Sequence, residues 1–262
     1  MILPVLGNEI VKSLRSKIAY LGIVAVCLVC ILSFIFTRNL TIGGTLNGWG
    51  FIGFTLQGAF VDVGLIFIAI FAALLVAEET GTGTARVVLS SPIWRWEFFL
   101  AKMLMGLLYV TVLYIITLVV AFVLGALRYE FGAITDSAGL IYGKGEVLKN
   151  LAAAFFLGWI PLSAIVPFGV LLSSFTKRGS HATGVVVGTL VLVEALKHIL
   201  GVAPYVFTTH IGTSWSIFQE VTQGLAYEWF PEAWKIILVP AVSWVVLFTA
   251  GLIIFCRRDL NE

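Results

Sequence analysis

The chain has 262 residues, of which 60% are hydrophobic and 11% charged, and its mean hydropathy is +1.06. Soluble domains carry about 25% charged residues, so this composition excludes a water-soluble globule. The formal net charge of +2 is too small to indicate a nucleic-acid partner.

In chain order, MILPVLGNEIVKSLRSK comes first. Leu3, Leu6, Ile10 and Leu14 recur at helical spacing, with Glu9, Lys12, Ser13 and Ser16 largely elsewhere on the wheel. Such a segment lies in the membrane interface, with Lys12, Arg15 and Lys17 near anionic headgroups. The plainer reading is a basic flank that serves only topology. Six apolar runs follow, at residues 18–36, 58–77, 103–127, 151–175, 183–203 and 236–256. Each suffices for the roughly 20 helical residues that cross a bilayer. Backbone groups in lipid must be satisfied within the segment, so these runs are helices; barrel strands would alternate apolar and polar residues. Pro161, Pro167 and Pro240 predict kinks rather than breaks. FTRNLT follows the first run where a signal peptide would carry an A-x-A site, so the run reads as a retained span. The expected fold is therefore an all-α membrane protein, one domain over residues 1–262. It has six transmembrane helices behind an N-terminal interfacial amphipathic helix at residues 1–17.

Loop charge orients the spans. With the N-terminus inside, one side holds Lys12, Arg15, Lys17, Arg86, Arg95, Lys102, Lys177, Arg178, Arg257 and Arg258, ten in all. The other holds Arg38, Arg128, Lys144, Lys149 and Lys235, and both termini are expected in the cytoplasm.

Between the second and third runs lies EETGTGTARVVLSSPIWRWEFFLAK, residues 78–102. Gly-Thr-Gly-Thr breaks the helix. Ala85–Ser90 allows a turn or two of helix, and Ser91-Pro92 restarts one as N-cap and first helical residue. Trp94 and Trp96 suit the membrane–water boundary. A simple connection needs about 2–8 residues, so this longer elbow is built to be pushed on by a partner.

These residues carry a resemblance. E-x-x-G-T before a short helix, then L-S-S-P-I, a basic residue, E-F and A-K, resemble the cytoplasmic loop of bacterial and archaeal type 2 ABC exporter permeases. NEIVKSLRSK near the N-terminus and FCRRDL near the C-terminus are similar to that family's ends, so the likeness covers essentially the whole chain. It implies that Arg86–Pro92 is a coupling helix docking on a separate P-loop ATPase subunit, in two copies. It also implies a second copy of this chain, with the second and fifth spans lining a central path. Val87, Val88 and Leu89 are the expected apolar knob, with Arg86, Arg95 and Glu97 as polar docking contacts beside Pro92. The chain itself has no G-x-x-x-x-G-K-[ST] and no cytoplasmic segment long enough for a nucleotide-binding domain. It is expected to bind no cofactor and catalyse nothing, ATP and Mg belonging to the partner. The outer loop 128–150 is longer than usual for that family and leaves room for an extracytoplasmic accessory protein.

Charge inside the spans is the next feature. Glu194, Lys197 and His198 share one helix face at i, i+3 and i+4. Asp62 falls roughly 6 Å inside the outer apolar boundary, and Lys197 and His198 roughly 6–9 Å inside theirs. A mid-span charge costs about 2.5–3.5 kcal/mol. Three readings follow: Glu194 and Lys197 neutralise each other for insertion, or they line the path or a dimer contact with Asp62, or they serve packing alone. Gly184-x-x-x-Gly188 permits a close helix approach, within the chain or across a dimer. Cys27 and Cys30 face hydrocarbon with no adjacent His or carboxylate, so no metal site is expected. The aromatic-rich Pro204–Lys235 reads as short helices dipping into the outer interface or as a loop anchored by its rings; the resemblance implies re-entrant helices.

No H-E-x-x-H or G-x-S-x-G is present, which leaves an intramembrane protease without support. The expected function is the permease subunit of an ABC exporter in the cell membrane of a bacterium or archaeon. The alternative is an ion- or proton-coupled secondary transporter centred on Glu194.

Overall fold

A computed structural model describes residues 2–39, 46–82, 94–136, 139–176, 178–225 and 229–257. Six helical stretches within them are long and apolar enough to cross a membrane. A short helix α1 (Ile2–Arg15) precedes the first span, α2 (Lys17–Asn39). The second span joins α3 (Gly48–Gly58), a π-helical turn (Ala59–Gly64) and α4 (Leu65–Thr82). The third is α5 (Arg95–Ala126). The fourth joins α6 (Lys144–Ser163) and α7 (Ile165–Ser173), the fifth is α8 (Gly179–Ile199), and the sixth is α10 (Phe230–Arg257). Helix α9 (Thr213–Thr222) lies between the fifth and sixth. A small antiparallel hairpin, β1 (Ile134–Asp136) with β2 (Gly139–Tyr142), pairs Ile134 with Tyr142.

Several boundaries differ from the apolar runs. The second span begins at Gly48, ten residues before the run at Gly58, because Asn47 caps it. The Asn47 side chain accepts the Gly50 N–H at 2.7 Å and donates to the Thr222 carbonyl at 3.0 Å. The third span begins at Arg95, where the Glu97 carboxylate accepts the Trp94 N–H at 3.1 Å. The fourth helix is divided at Ala164, a break where a kink was expected. Pro161 lies inside α6 without ending it. The ladder fails where Pro167, which has no N–H, cannot bond the Ser163 carbonyl, and Ala164 closes the last turn by donating to the Pro161 carbonyl at 3.2 Å. With the helix restarted at Ile165, Pro167 falls in the first turn of α7, where a missing N–H is tolerated. Pro240 lies inside the uninterrupted α10.

Lipid offers no hydrophobic drive between helices, so small residues set how closely they approach. A Cβ on Gly169 of α7 would lie 2.7 Å from Ala72 Cβ and 3.2 Å from the Ala69 carbonyl of α4. These two helices are thus in near-backbone contact. The outward surface is apolar instead, with Leu28, Val119, Val123, Val245 and Ile253 more than half exposed.

At the end of the bundle away from the N-terminus, α9 is driven inward. Trp215 and Phe218 are fully buried, and Trp215 meets Tyr114 of the third span edge-on at 6.1 Å. Tyr114 stacks on Phe155 of the fourth span at 4.6 Å. The α9 part of the aromatic-rich segment is therefore packed into the protein, whereas Tyr205, Phe230 and Trp234 on either side of it are exposed. Gly158 makes room for this. A Cβ there would stand 2.4 Å from the Tyr114 hydroxyl, 2.7 Å from Ser214 Oγ and 3.1 Å from Trp215 Nε1. Gly158→Ala is expected to lower stability by about 1–3 kcal/mol through overpacking, read as a lower melting temperature of the detergent-solubilised chain. Gly145→Ala, where a Cβ meets nothing within 4 Å, is expected to leave it unchanged.

Candidate functional site

The segment Arg86–Pro92, with Val87, Val88 and Leu89, lies outside the described residues, but both of its roots are described. Helix α4 brings Glu79 to one root and α5 brings Lys102 to the other. Helix α1 lies against both. Its inward face is Val5, Glu9 and Ser13, spaced at i, i+4 and i+8, while Leu3 and Leu14 are exposed. The inward face is thus mixed, since Leu6 and Ile10 also pack against the core, while Leu3, Val11 and Leu14 are exposed beside Asn8, Lys12 and Arg15. Exposed apolar residues beside basic ones suit a helix that lies at the membrane interface.

Lys102 has no exposed side-chain surface, and its ammonium sits 2.6 Å from Glu9 Oε2 and 2.7 Å from Glu79 Oε1. The Phe98 ring lies 5.0 Å from the same nitrogen, a cation–π contact. Lys12 donates to Glu79 Oε1 from the rim, where its own side chain is about half exposed. Two carboxylates and two ammonium groups sum to zero charge. Burial of an ion costs several kcal/mol even after relaxation, and the cluster offsets this by giving Lys102 two counter-charges at contact distance. For Glu9, burial outweighs the Lys102 charge and raises its carboxyl above the ordinary value of 4.5. Keeping Glu9 ionised therefore opposes folding; this cost is absent below pH 4.5 and grows as pH rises from there to the raised value.

Two further residues expected in docking are engaged at this end. The Arg95 guanidinium donates to the Cys256 carbonyl at 2.9 Å and closes the C-terminal end of α10. Phe98 and Phe255 stack beside it at 5.6 Å. Glu97 is buried as the cap of α5. Spacing could have revealed the cluster, since Val5, Glu9 and Ser13 form one stripe. Lys102 was hidden because it abuts an apolar run and reads as an orienting charge.

The opposite half of the protein gathers the other expected residues. Lys197 Nζ lies 2.6 Å from Glu194 Oε2, with the lysine side chain 7% exposed. Both line a cleft of about 310 Å³ together with His198, Gln57 and Val61 of the second span, and Thr208, Thr209, Gly212, Thr213 and Ser216. Asp62, one residue past Val61, is exposed, does not line this cleft and forms no ion pair among the described residues. It does lie in the π-helical turn, an element frequent at functional sites. Gly184 and Gly188 are exposed and would meet nothing within 4 Å as alanines. Val185, Val191 and Leu192 are exposed near them. Among the described residues, no helix lies within 4 Å of a Cβ at either glycine.

A family model described as ABC-2 family transporter protein matches residues 5–195. No curated protein matches the chain. The matched region includes all four residues of the charge cluster and Glu194, and ends before Lys197, His198 and the segment around α9.

Removing one member of a buried ion network leaves the others unpaired. Lys102→Met is expected to destabilise the chain by about 3–5 kcal/mol, seen as a large loss of folded protein in detergent. Combining it with Glu9→Gln and Glu79→Gln is expected to recover most of that loss, since no charge then remains buried alone.

Proposed function

The chain belongs to the ABC-2 transporter family, and on that footing we propose that it is the permease subunit of an exporter driven by a separate ATP-hydrolysing subunit. The observation that carries the proposal is the charge cluster at the two roots of residues 83–93. Glu79, Lys102 and Glu9 bind the ends of the second and third spans and the interfacial helix into one body. A push on the loop between those roots then moves three helices together. Arg86, Val87, Val88, Leu89 and Pro92 are the docking surface, and Arg95 and Glu97 hold the root of α5 in shape.

The stroke travels along the second span. Glu79 and Val61 are 18 residues apart, roughly 27 Å at a helical rise of 1.5 Å per residue, so one helix joins the cluster to the cleft. Its contact with α7 through Gly169 keeps it stiff. The docking surface has to bind two states of the ATPase with different affinity, since a partner that binds both equally shifts nothing. ATP and Mg stay with that partner. In this reading both termini face the cytoplasm, in the cell membrane of a bacterium or archaeon. Two ATPase subunits serve two copies of this chain, and the exposed Gly184–Gly188 face packs copy on copy.

Affinity purification of the tagged chain from native membranes in mild detergent, with mass spectrometry and an ATPase assay, tests the core of this. A P-loop ATPase is expected at about one-to-one, lost with Val88→Asp or Arg86→Glu while membrane levels of the chain stay unchanged. Recovery of the chain alone, with crosslinking excluding loss in detergent, would favour a secondary transporter centred on Glu194. For the dimer, Val185→Cys in a chain without its three native cysteines is expected to crosslink in membranes. Val246→Cys, on the exposed side of α10, is expected not to; equal crosslinking at both would overturn the assignment of that face.

A further inference from the structure

The cleft beside Glu194 has the makings of a ligand site. Three of its polar atoms are buried without a hydrogen-bond partner: Glu194 Oε1, Thr208 Oγ1 and Thr209 Oγ1. The Thr208 side chain is more than nine-tenths buried and lines the cleft. Lys197, equally buried, uses one N–H on Glu194 Oε2 and keeps two for another acceptor. A polar atom withdrawn from water and left unpaired is costly, and native structures rarely keep several in one place. The volume of about 310 Å³ is that of a small-molecule pocket.

The charges define what fits. Glu194 and Lys197 cancel, so neither a bare anion nor a bare cation is favoured. The metal alternative fails because Lys197 occupies one carboxylate oxygen, and no cluster of three metal-ligating side chains exists among the described residues. A purely apolar guest would leave the hydroxyls and Glu194 Oε1 unpaired. A neutral polar guest would use the hydroxyls but not the two separate charges. A guest that uses all of these groups carries an ammonium for Glu194 Oε1 and an anionic group for Lys197 Nζ. Because those two atoms belong to side chains joined through Glu194 Oε2, the charges of the guest must lie side by side. That is the geometry of an α-amino acid, with Thr208 and Thr209 as further hydrogen-bonding groups.

We propose that this cleft binds a small α-amino-acid-type zwitterion, held between Glu194 and Lys197 and capped by Thr208 and Thr209. It deepens the transport reading by giving the class of cargo, but binding does not require the ATPase, so the two stand or fall separately. The site is complete within one chain, and most of its lining lies beyond the family-matched residues 5–195.

The test is ligand-detected NMR on the full chain in lipid nanodiscs, with four probes: L-alanine, L-lactate, L-alaninamide and erythritol. L-Alanine is expected to bind at least tenfold more tightly than the other three, which lack the ammonium, the carboxylate or both. Glu194→Gln/Lys197→Gln removes both charges together and leaves no ion unpaired; it is expected to abolish the preference for L-alanine. Thr208→Val is expected to weaken L-alanine severalfold without changing the melting temperature, which keeps the test sound if the double variant fails to fold. Equal binding of all four probes, tighter erythritol than L-alanine, no detectable L-alanine binding, or unchanged L-alanine binding in a folded Thr208→Val chain would each overturn the proposal.

Discussion

An ammonium group with no exposed surface, at the base of a helix in a membrane protein, is the constraint around which this structure is arranged. Lys102 is tolerable only with two carboxylates at contact distance, and these come from helices distant in sequence, α1 and α4. Glu9 and Glu79 in turn cannot both be buried together without a cation between them. The three helices are therefore mutually required. Helix α1 turns Glu9 and Ser13 inward among Val5, Leu6 and Ile10, while Leu3, Val11 and Leu14 face out. A bilayer makes that orientation affordable, because Leu3 and Leu14 are as well solvated by lipid as by protein.

Away from this cluster, packing is governed by shape. Gly169 and Ala72 bring α4 and α7 to near-backbone contact, and Gly158 opens the space that Tyr114, Ser214 and Trp215 fill. The two ends of the bundle thus differ in kind: one closed by charge, the other by buried aromatic rings of α9 and the third and fourth spans. The second span runs between them, continuous from Gly48 to Thr82 apart from its π-helical turn. It carries Glu79 near one end and Gln57 and Val61 at the polar cleft. A displacement at the cluster has a direct mechanical route to the cleft.

The six spans were legible because runs of about 20 apolar residues have few alternatives in lipid. Their ends were less legible. Asn47, Trp94 and Gly143 begin helices in polar sequence, where capping decides the start and hydropathy is silent. The division at Ala164 follows from the missing Pro167 N–H, but whether a proline bends or splits a helix depends on neighbours the sequence does not name. The Glu194–Lys197 pair was readable from i,i+3 spacing. Its neighbours Gln57, Thr208 and Thr209 were not, because they come from separate segments with no shared pattern.

By itself, the sequence determined the solvent, the number of spans, their helical character and the likeness to an ABC-2 permease, since each rests on local composition or on contiguous motifs. Tertiary structure alone decided which charges distant in sequence meet. It placed Glu9 and Glu79 on Lys102, set Asp62 apart from the cleft, and left Gly184 and Gly188 without a neighbour among the described residues. The reason is physical: hydropathy and periodicity act along the chain within a few turns, whereas a buried charge is satisfied by whatever another helix brings to it across space.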